Sequence, residues 1–570
     1  MMSFYEYRWW KEAIGYEIYL KSFKDSNGDG IGDINGIREK LDYLKDLGIT
    51  LIWICPFYKS PMDDNGYDVS DYYDIDPSFG TLDDMKALIA EAHEKGIRII
   101  ADFVMNQTSD EHQWFIESRK SKDNPYRDYY IWADGRIMDG VEVEPTNWAS
   151  FFGGSCWEKD QITGQYYMKI FSRKMPDLNW SNQKVRASMQ AIAKFWLDLG
   201  IDGFRVDAVA HIGRKEELVD SMMDSPSKYK PDWRMFSNIP VLFDYLKEFN
   251  EKVWRKYDIM TVGEVGGGAT PAEANRYAGF KNGSMNMVFN FDHNWHNNVW
   301  NMSSIDEEVV VNLVSLKEIF KKWQLGQYGK AWIPIYWLNH DQPRVMSQYG
   351  NPKKPYLSGS MLGQALYFMW GTPFVYQGEE IGMTNYPFKS VTDFNDVSVK
   401  TTHDLEVKQG GQDEAEFIYF TGLKSRDNAR TIMSWDDSKY AGFSTNKPWF
   451  NVCPDYQRVN VKRNLEDSKT IYKHYQKIFK LRKHKAFLKT LVYGTYKQLL
   501  SKHKHVYAYV RENDKMILTV CNFFDTTEKV SIRGYKVAKI LLSNYEDSKT
   551  TLTSLTLRPY EAVTYLIEKR

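Results

Sequence analysis

Apolar runs and amphipathic segments alternate along the first hundred residues. The strand-like runs cover 14–20, 49–54 and 97–104, and segments with a helical period at 37–47 and 82–95 separate them. The first helical segment places Ile37, Leu41, Leu44 and Leu47 on one face, and Gly48 ends it. This pattern predicts a repeating βα unit, with each helix turning directly into the next strand.

The same alternation resumes after residue 184. A helix is predicted over 185–199 and ends at Gly200; five further strand-like runs cover 202–206, 260–263, 286–291, 333–337 and 373–376. Together with the three early runs, these make eight strands. Eight parallel strands joined by helices predict a (β/α)8 TIM barrel, in which functional residues lie on the loops that follow the C-terminal ends of the strands.

Two regions interrupt or follow this pattern. Residues 108–178 are rich in aromatic, Gly and Asn residues and lack the alternation, which predicts a subdomain inserted after the third strand. Residues 490–570 contain short β segments without helices between them, which predicts a C-terminal antiparallel β-sandwich. The barrel domain is therefore expected to comprise 1–107 and 179–489.

The charge balance narrows the possible ligands. The chain has 74 Lys and Arg residues against 75 Asp and Glu residues. This balance gives no electrostatic reason to expect binding to nucleic acid, to an anionic membrane surface or to a polyanion. We expect a small neutral ligand, and a protein that is a monomer or a weak homo-oligomer.

The N-terminus and the cysteines predict a cytoplasmic protein. The first twenty residues carry charges throughout and offer neither a secretory apolar region nor a membrane-spanning stretch. Four cysteines lie far apart without a C-x-x-C motif: Cys55, Cys156, Cys453 and Cys521. This spacing is typical of reduced thiols and not of a zinc or redox site.

Asp207 in GFRVDAV follows an apolar strand, and Arg205 lies two residues earlier on the same face. A neighbouring Arg keeps a carboxylate ionised, as a nucleophile requires, and can donate to a sugar hydroxyl. The alternative interpretation of this motif is a structural ion pair at the end of a strand.

Two more carboxyl groups follow predicted strands. Glu264 in TVGEVGG ends the fifth, where apolar walls and a second carboxylate are expected to raise its pKa and make it an acid. WLNHDQPR adds His340, Asp341 and Arg344 after the seventh. A glycosidase needs one carboxylate to attack the anomeric carbon and one carboxylic acid to protonate the departing oxygen, so three carboxyl groups at one barrel rim fit this chemistry.

The ordered motifs ADFVMNQTSDEH, KMPDLNW, GFRVDAV, TVGEV and WLNHDQPR resemble those of glycoside hydrolase family 13, the α-amylase superfamily. The closest resemblance is to its oligo-1,6-glucosidase and α-glucosidase branch, through SPMDDNGYDVSDY, GTPFVYQGEEIGM and SRDNARTIMSW. The resemblance covers nearly the whole chain. It implies an exo-acting, retaining α-glucosidase that acts on short substrates.

The resemblance also implies roles for individual residues. Asp207 is expected to be the nucleophile, Glu264 the general acid/base and Asp341 the transition-state stabiliser. Further expected contacts to glucose come from Arg205 and His340, from Tyr67 stacking on the sugar ring, and from an Asp68–Arg430 pair that closes the pocket around the non-reducing end. Aromatic residues at 151, 152 and 171 are candidates for subsite walls or for core packing: Phe151, Phe152 and Phe171.

The segment DSNGDGIGD has the character of a hard-cation site. Oxygen-bearing side chains alternate along a glycine-rich loop, with one main-chain carbonyl as a further candidate: Asp25, Asn27, Asp29, Asp33 and the carbonyl of Ile31. The resemblance implies a structural Ca²⁺ or Mg²⁺ and no catalytic cofactor. The alternative is a solvated turn.

Two departures from the family pattern bear on the substrate. Gln107 stands where the family has His, so that position cannot become cationic. Ala208 follows the proposed nucleophile, where α-1,6-specific relatives tend to have Val; this favours maltose-type α-1,4 substrates over isomaltose-type α-1,6 substrates, with sucrose possible. Met175, Ile432 and Ser434 also vary the usual motifs.

Two other functions remain open. A sucrose isomerase or transglucosylase would share the fold, although family isomerases carry an Arg- and Asp-rich loop where this chain has NFDHNWHNN. A catalytically inactive carbohydrate-binding or partner protein is the second alternative, and the presence of all three carboxylates argues against it.

Overall fold

The computed structural model describes residues 3–215, 217–266 and 268–570. A parallel eight-stranded sheet lies at its centre, with strands numbered β1 to β8 in chain order: Gly15–Ile18, Leu51–Ile54, Arg98–Val104, Gly203–Asp207, Met260–Gly266, Met287–Asn290, Pro334–Ile335 and Thr372–Tyr376. The strands pair in parallel in the order β6-β5-β4-β3-β2-β1-β8-β7. Because β6 also lies beside β7, the sheet closes into a barrel. The predicted TIM barrel is confirmed.

Helices surround the barrel. The longer ones are Leu82–Glu94, Gln183–Leu199, Leu242–Lys252, Pro271–Ala278, Leu313–Gln327, Pro355–Tyr367, Glu414–Lys424 and Ile471–Lys483. The shorter ones are Trp9–Glu12, Ile34–Glu39, Leu41–Leu47, Gln113–Ser118, Val345–Gln348, Val397–His403, Asp427–Arg430, Val461–Glu466 and Leu488–Tyr493. The helix predicted over 37–47 is two helices, because Lys40 leaves helical geometry at φ −109° and ψ 5°.

Glycines set the joints between helices and strands. Gly48 and Gly200 end their helices with φ of +103° and +116°, a left-handed conformation that Gly adopts without steric cost. Gly203 begins β4 at φ +140°, and a Cβ there would lie 1.9 Å from the carbonyl oxygen of Met260 on the neighbouring strand. Gly203 therefore permits the close approach of β4 to β5, the two strands that carry Asp207 and Glu264.

The inserted subdomain follows β3. It contains a three-stranded antiparallel sheet and a separate hairpin: Trp132–Ala133, Tyr166–Met168 and Trp157–Lys159 form the sheet, and Arg136–Met138 pairs with Val141–Val143. A second two-stranded sheet, Tyr58–Lys59 with Asp71–Ile75, lies in the loop after β2. Both insertions lie at the C-terminal ends of the barrel strands, above the site described below.

A distant segment completes the core of the inserted subdomain. Met235 and Phe236 belong to the same buried apolar cluster as Trp148 and Trp157. The indole Nε1–H of Trp148 donates to the main-chain carbonyl of Val219 at 2.9 Å. This contribution from the loop after β4 was not predicted, and the boundaries of 108–178 stay a prediction.

The C-terminal region is an antiparallel β-sandwich, as predicted. Its larger sheet has five strands in the order Thr495–Leu499, Val506–Glu512, Met516–Asn522, Ala562–Lys569 and Tyr535–Ser543. Glu528–Val530 pairs with Leu555–Leu557 in the smaller sheet. Apolar side chains from both sheets form one buried cluster that includes Val506, Leu518, Val530 and Leu557.

The structure also bears on the cysteines and on membrane insertion. Cys55, Cys156, Cys453 and Cys521 are all buried and form no disulfide. Within the described residues, no helix combines the length and the apolar character that crossing a bilayer requires.

Candidate active site

Three carboxyl groups meet at the C-terminal rim of the barrel. Asp207 is the last residue of β4, Glu264 lies near the end of β5, and Asp341 lies in the loop after β7. All three line one cavity of about 500 Å³. The structure therefore brings together the three predicted catalytic residues.

Arg205 joins two of these carboxyl groups. Its guanidinium Nη1 donates to Asp207 Oδ1 at 2.7 Å, and its Nη2 donates to Glu264 Oε2. Nη1 also donates to Asp102 Oδ1 at 2.9 Å. One buried cation thus holds the carboxyl groups of Asp207 and Glu264 next to each other, the arrangement that a nucleophile and an acid/base need.

The carboxyl groups have opposite electrostatic surroundings. Burial raises the pKa of Asp207, and the Arg205 guanidinium opposes that increase. Burial also acts on Asp341, but His340 and two arginines outweigh it and hold the pKa of Asp341 well below its usual range. Asp341 is therefore ionised at neutral pH and can stabilise positive charge.

His340 lies at the bottom of the site, among buried polar groups. Its Nε2 is 3.1 Å from Asp341 Oδ2 and 2.8 Å from the hydroxyl of Tyr67. The same hydroxyl donates to Asp102 Oδ2 at 2.9 Å. Tyr67 is thus fixed between β3 and the loop after β7, with its ring at the cavity wall.

Two arginines close one end of the cavity. Arg430 Nη2 donates to Asp341 Oδ1 at 2.9 Å. Arg426 lines the cavity, and its guanidinium donates to Asp64 Oδ1 and to both carboxylate oxygens of Asp396, each at 2.7 Å. These ion pairs connect loops after β2, β7 and β8.

The expected ion pair between Asp68 and Arg430 is absent among the described residues, so that expectation is wrong. The Asp68 carboxylate turns to its own loop and accepts from the main-chain N–H groups of Asp63 and Asp64 at 2.8 and 3.0 Å. Asp64 occupies the cavity wall instead, and Asp68 lies buried behind it.

Aromatic side chains form part of the cavity wall. Phe151, Phe152 and Phe171 all line the cavity, as does Met175. Phe151 stacks on Trp233 with ring centroids 4.3 Å apart, and on Phe171 at 5.4 Å. The three phenylalanines thus line the cavity and also pack on one another, and their role as subsite walls stays a prediction.

Gln107 and Ala208 also line the cavity. The Gln107 side chain is committed to protein partners: Nε2 donates to the Tyr67 carbonyl at 3.1 Å, and Oε1 accepts from Asn106 Nδ2 at 3.0 Å. Ala208 has φ +46°, a left-handed conformation that is uncommon for residues other than Gly. The turn after Asp207 is thus an unusual backbone feature at the site.

Arg344 does not reach the cavity, so its assignment to substrate binding is wrong. Its guanidinium donates to the main-chain carbonyls of Gln377, Asn428 and Ala429 at 2.6 to 3.0 Å. A buried guanidinium whose N–H groups bind carbonyl oxygens holds loops together. His112 is likewise structural, since its Nδ1 accepts from the N–H of Trp114 at the start of a helix.

The loop of residues 25–33 is held together by hydrogen bonds between its own carboxylates and main-chain N–H groups. Asp25 Oδ2 accepts from the N–H of Gly30 at 2.8 Å, and Gly30 has φ +94°. Asp33 bonds Ser26 and begins the helix Ile34–Glu39. In the described part of the chain, the carboxylates of Asp25, Asp29 and Asp33 do not form a group within 4.8 Å of one another.

Sequence reasoning missed several residues of the site. Asp102 was detectable in principle, as a lone acid in the apolar run RIIADFV. Asp64 and Arg426 gave no local signal, because their partners are far away in the chain. Other residues at the cavity that were not predicted are His211, Trp233, Phe291, Trp295 and Ser398.

A TIM barrel with carboxyl groups paired on one arginine in an aromatic-walled cavity defines a class, the barrel hydrolases of glycosides. The family model described as "Alpha amylase, catalytic domain" matches residues 17–492. The chain belongs to the α-amylase family and is a glycoside hydrolase.

Similarity to individual proteins extends over the whole chain. The chain is 46% identical to the oligo-1,6-glucosidase of Parageobacillus thermoglucosidasius, over 98% of this chain and 99% of that protein. The trehalulose synthase of Pseudomonas mesoacidophila superposes with a TM-score of 0.91 at 38% identity, covering 99% of this chain and 100% of that one. The trehalose-6-phosphate hydrolase of Bacillus licheniformis superposes with a TM-score of 0.90 at 38% identity and the same coverage.

Proposed function

We propose that the chain is an exo-acting, retaining α-glucosidase that releases glucose from the non-reducing end of short α-glucosides. The observation that carries this proposal is the contact of Asp207 and Glu264 with one Arg205 guanidinium inside the cavity. A retaining enzyme needs its two carboxyl groups about 5 Å apart, and groups sharing a guanidinium are held at such a separation.

The reaction proceeds in two displacements. In the first, an Asp207 carboxylate oxygen bonds to the anomeric carbon while the bond to the leaving sugar breaks, and Glu264 gives its proton to the departing oxygen. In the second, Glu264 takes a proton from water, whose oxygen displaces Asp207. Asp341 stabilises the positive charge that develops on the ring. Two inversions at the anomeric carbon release α-glucose.

The closed end of the cavity supports exo action. The Arg426–Asp64, Arg426–Asp396 and Arg430–Asp341 ion pairs close it on one side. A glucose ring bound against this wall cannot extend further, so the substrate must enter with its non-reducing end first. Long internal segments of starch are therefore poor substrates.

Two observations bear on which glycosidic linkage the enzyme prefers, and they favour different substrates. Ala208 favours α-1,4 bonds, whereas the similarity to an oligo-1,6-glucosidase at 46% identity favours α-1,6 bonds. We infer that isomaltose-type substrates are hydrolysed best and maltose-type substrates second, because one small side chain changes discrimination by only a modest factor.

Phosphorylated substrates fit this cavity poorly. The lining includes one Arg and no Lys among the described residues, and that Arg426 already bonds two aspartates. A phosphate would compete with those carboxylates for the same guanidinium. We therefore expect little hydrolysis of trehalose 6-phosphate.

Sucrose isomerisation is the second candidate, favoured by the similarity to a trehalulose synthase with a TM-score of 0.91. In that reaction fructose, and not water, would take the glucosyl group from Asp207. The loop after β6 places Phe291 and Trp295 at the cavity, and its sequence, NFDHNWHNN, is not the Arg- and Asp-rich loop that family isomerases carry.

One experiment tests these assignments together. The purified protein is incubated with isomaltose, maltose, sucrose, trehalose, trehalose 6-phosphate and a nitrophenyl α-glucoside, and NMR follows the products and the anomer of the released glucose. We expect α-glucose from isomaltose first. Asp207→Asn should abolish hydrolysis, whereas Asp198→Asn, an exposed acid on a barrel helix, serves as the matched control. Initial release of β-glucose would refute the retaining mechanism.

We also propose that residues 25–33 bind a structural Ca²⁺ or Mg²⁺. Asp25, Asn27, Asp29, the Ile31 carbonyl and Asp33 occupy alternate positions, as ligands do in calcium loops with Gly at the sixth position, here Gly30. Metal analysis of the purified protein should find about one ion per chain. EDTA should lower the thermal midpoint of the wild type more than that of Asp25→Ala; equal effects would contradict this site.

A further inference from the structure

A buried carboxyl group lies directly behind the site, and the proposed reaction does not use it. Glu17 on β1 is 2% exposed. Its Oε1 accepts from His340 Nδ1 at 2.7 Å and from the main-chain N–H of His340 at 3.3 Å. Because His340 and Tyr67 lie between Glu17 and the cavity, any effect of Glu17 on substrate must pass through His340.

The contact to Glu17 fixes which way the His340 ring faces. With Nδ1–H donated to Glu17, the other nitrogen, Nε2, points to Asp341 Oδ2 at 3.1 Å and to the Tyr67 hydroxyl at 2.8 Å. A ring nitrogen that faces a carboxylate needs a proton of its own. His340 is therefore a cation held between two carboxylates, one buried and one at the cavity.

We propose that Glu17 is a positioning residue of the active site, which holds the His340 ring in the orientation and the cationic form that Asp341 and Tyr67 require. This inference rests on the proposed glucosidase function. Glu17 acts on the reaction in the way that a buried carboxylate orients a catalytic imidazole in other hydrolases. It contributes no atom to the chemistry.

The surroundings of His340 support a stable positive charge. The titratable and charged groups that face it are Glu17, Tyr19, Cys55, Tyr67, Asp341 and Arg430. Burial alone would lower the pKa of His340, but Asp341 and the other neighbours raise it well above its ordinary value. Replacing Glu17 by a neutral residue removes one of the two carboxylates that face the ring.

The test compares Glu17→Gln with the wild type. Gln keeps the shape and an oxygen that can accept from Nδ1, but it carries no charge. We expect kcat/KM to fall on the order of 10- to 100-fold, by analogy with the loss when the carboxylate partner of a metal-bound histidine is removed. The alkaline limb of the pH profile should also move to lower pH, because His340 loses its proton more easily. Glu379→Gln is the matched control: it makes the same change at a buried carboxyl group that bonds Tyr367 and Tyr475 and not His340, and we expect kcat/KM and the pH profile to stay those of the wild type.

A double-mutant cycle separates positioning from folding. In a His340→Ala background, Glu17→Gln should change kcat/KM less than twofold, since its partner is already gone. An equal loss in both backgrounds, or a wild-type rate and pH profile in Glu17→Gln, would overturn the inference. If Glu17→Gln does not fold, Glu17→Asp tests the positioning instead: it keeps the charge but moves it away from Nδ1, so kcat/KM should fall in the wild-type background and change little in the His340→Ala background. Failure of the wild type to hydrolyse any glucoside would instead refute the proposed function.

Discussion

Glu379, in the turn after β8, carries a carboxyl group in a fully buried position, and replacing it should stabilise the protein in a pH-dependent way. Its Oε1 accepts from the hydroxyls of Tyr367 and Tyr475 at 2.6 and 2.8 Å. Its Oε2 has no hydrogen-bond partner among the described residues. Burial raises the pKa of Glu379 from 4.5 to about 8. The group is therefore protonated in the folded protein at neutral pH.

The sign of the effect follows from proton linkage. The unfolded chain releases this proton near pH 4.5, whereas the folded protein keeps it until about pH 8. Between these values the folded state binds more protons, so its stability falls as the pH rises. At about 1.4 kcal/mol per pKa unit, Glu379 destabilises the protein at pH 7.5 by roughly 3 kcal/mol relative to pH 5.

Glu379→Gln removes this penalty and keeps an oxygen for the two tyrosines. The free energy of unfolding of the variant, relative to that of the wild type, should increase by roughly 3 kcal/mol when the pH is raised from 5 to 7.5. For a chain of this length, the thermal midpoint of the variant relative to the wild type should then be about 3 °C higher at pH 7.5 than at pH 5. Differential scanning calorimetry at both pH values measures it, with the exposed Glu251→Gln as control. A difference between variant and wild type that does not change with pH would refute the reasoning.

Three further predictions test particular contacts. Gly203→Ala would place a Cβ 1.9 Å from a main-chain oxygen and should lower the free energy of unfolding by more than about 3 kcal/mol. Gly96→Ala is the control: no atom lies within 4 Å of its Cβ position, and it should lower the free energy of unfolding by about 1 kcal/mol. Arg344→Met should lower the thermal midpoint by leaving carbonyls unpaired but should leave KM unchanged; a raised KM would restore a role in substrate binding. Ala208→Val should raise the isomaltose-to-maltose ratio of kcat/KM by no more than about tenfold, and an unchanged ratio would contradict the argument about linkage preference. The same substitution should destabilise the protein by about 1–3 kcal/mol, because the φ of residue 208 is +46°.

The barrel was predictable because its signals are local. Each strand is an apolar run of a few residues, and glycines such as Gly48 and Gly200 mark where a helix must stop. Asp207 and Glu264 were found by the same route, since a carboxylate directly after an apolar strand stands out in the sequence. These features depend on residues that are neighbours in the chain.

The remaining features depend on residues that are far apart. The Arg426–Asp64 ion pair joins residues separated by 362 positions, and nothing near either residue indicates its partner. Arg344 was misassigned for the opposite reason: it lies three residues after Asp341, but the chain turns and sends its side chain among main-chain carbonyls. Distance in sequence therefore indicates little about which charged side chains reach the cavity.

The inserted subdomain and the loop after β4 together cover the active site. Trp148 in the inserted subdomain packs with Met235 and Phe236, and it bonds the carbonyl of Val219, all from the loop after β4. If residues 108–178 were replaced by those of a relative, the new subdomain would therefore have to pack on Val219, Met235 and Phe236 of this chain, to which it is not matched. A working chimera would have to carry both segments. Substrate preference should therefore be transferred between relatives only when the inserted subdomain and the loop after β4 are exchanged together.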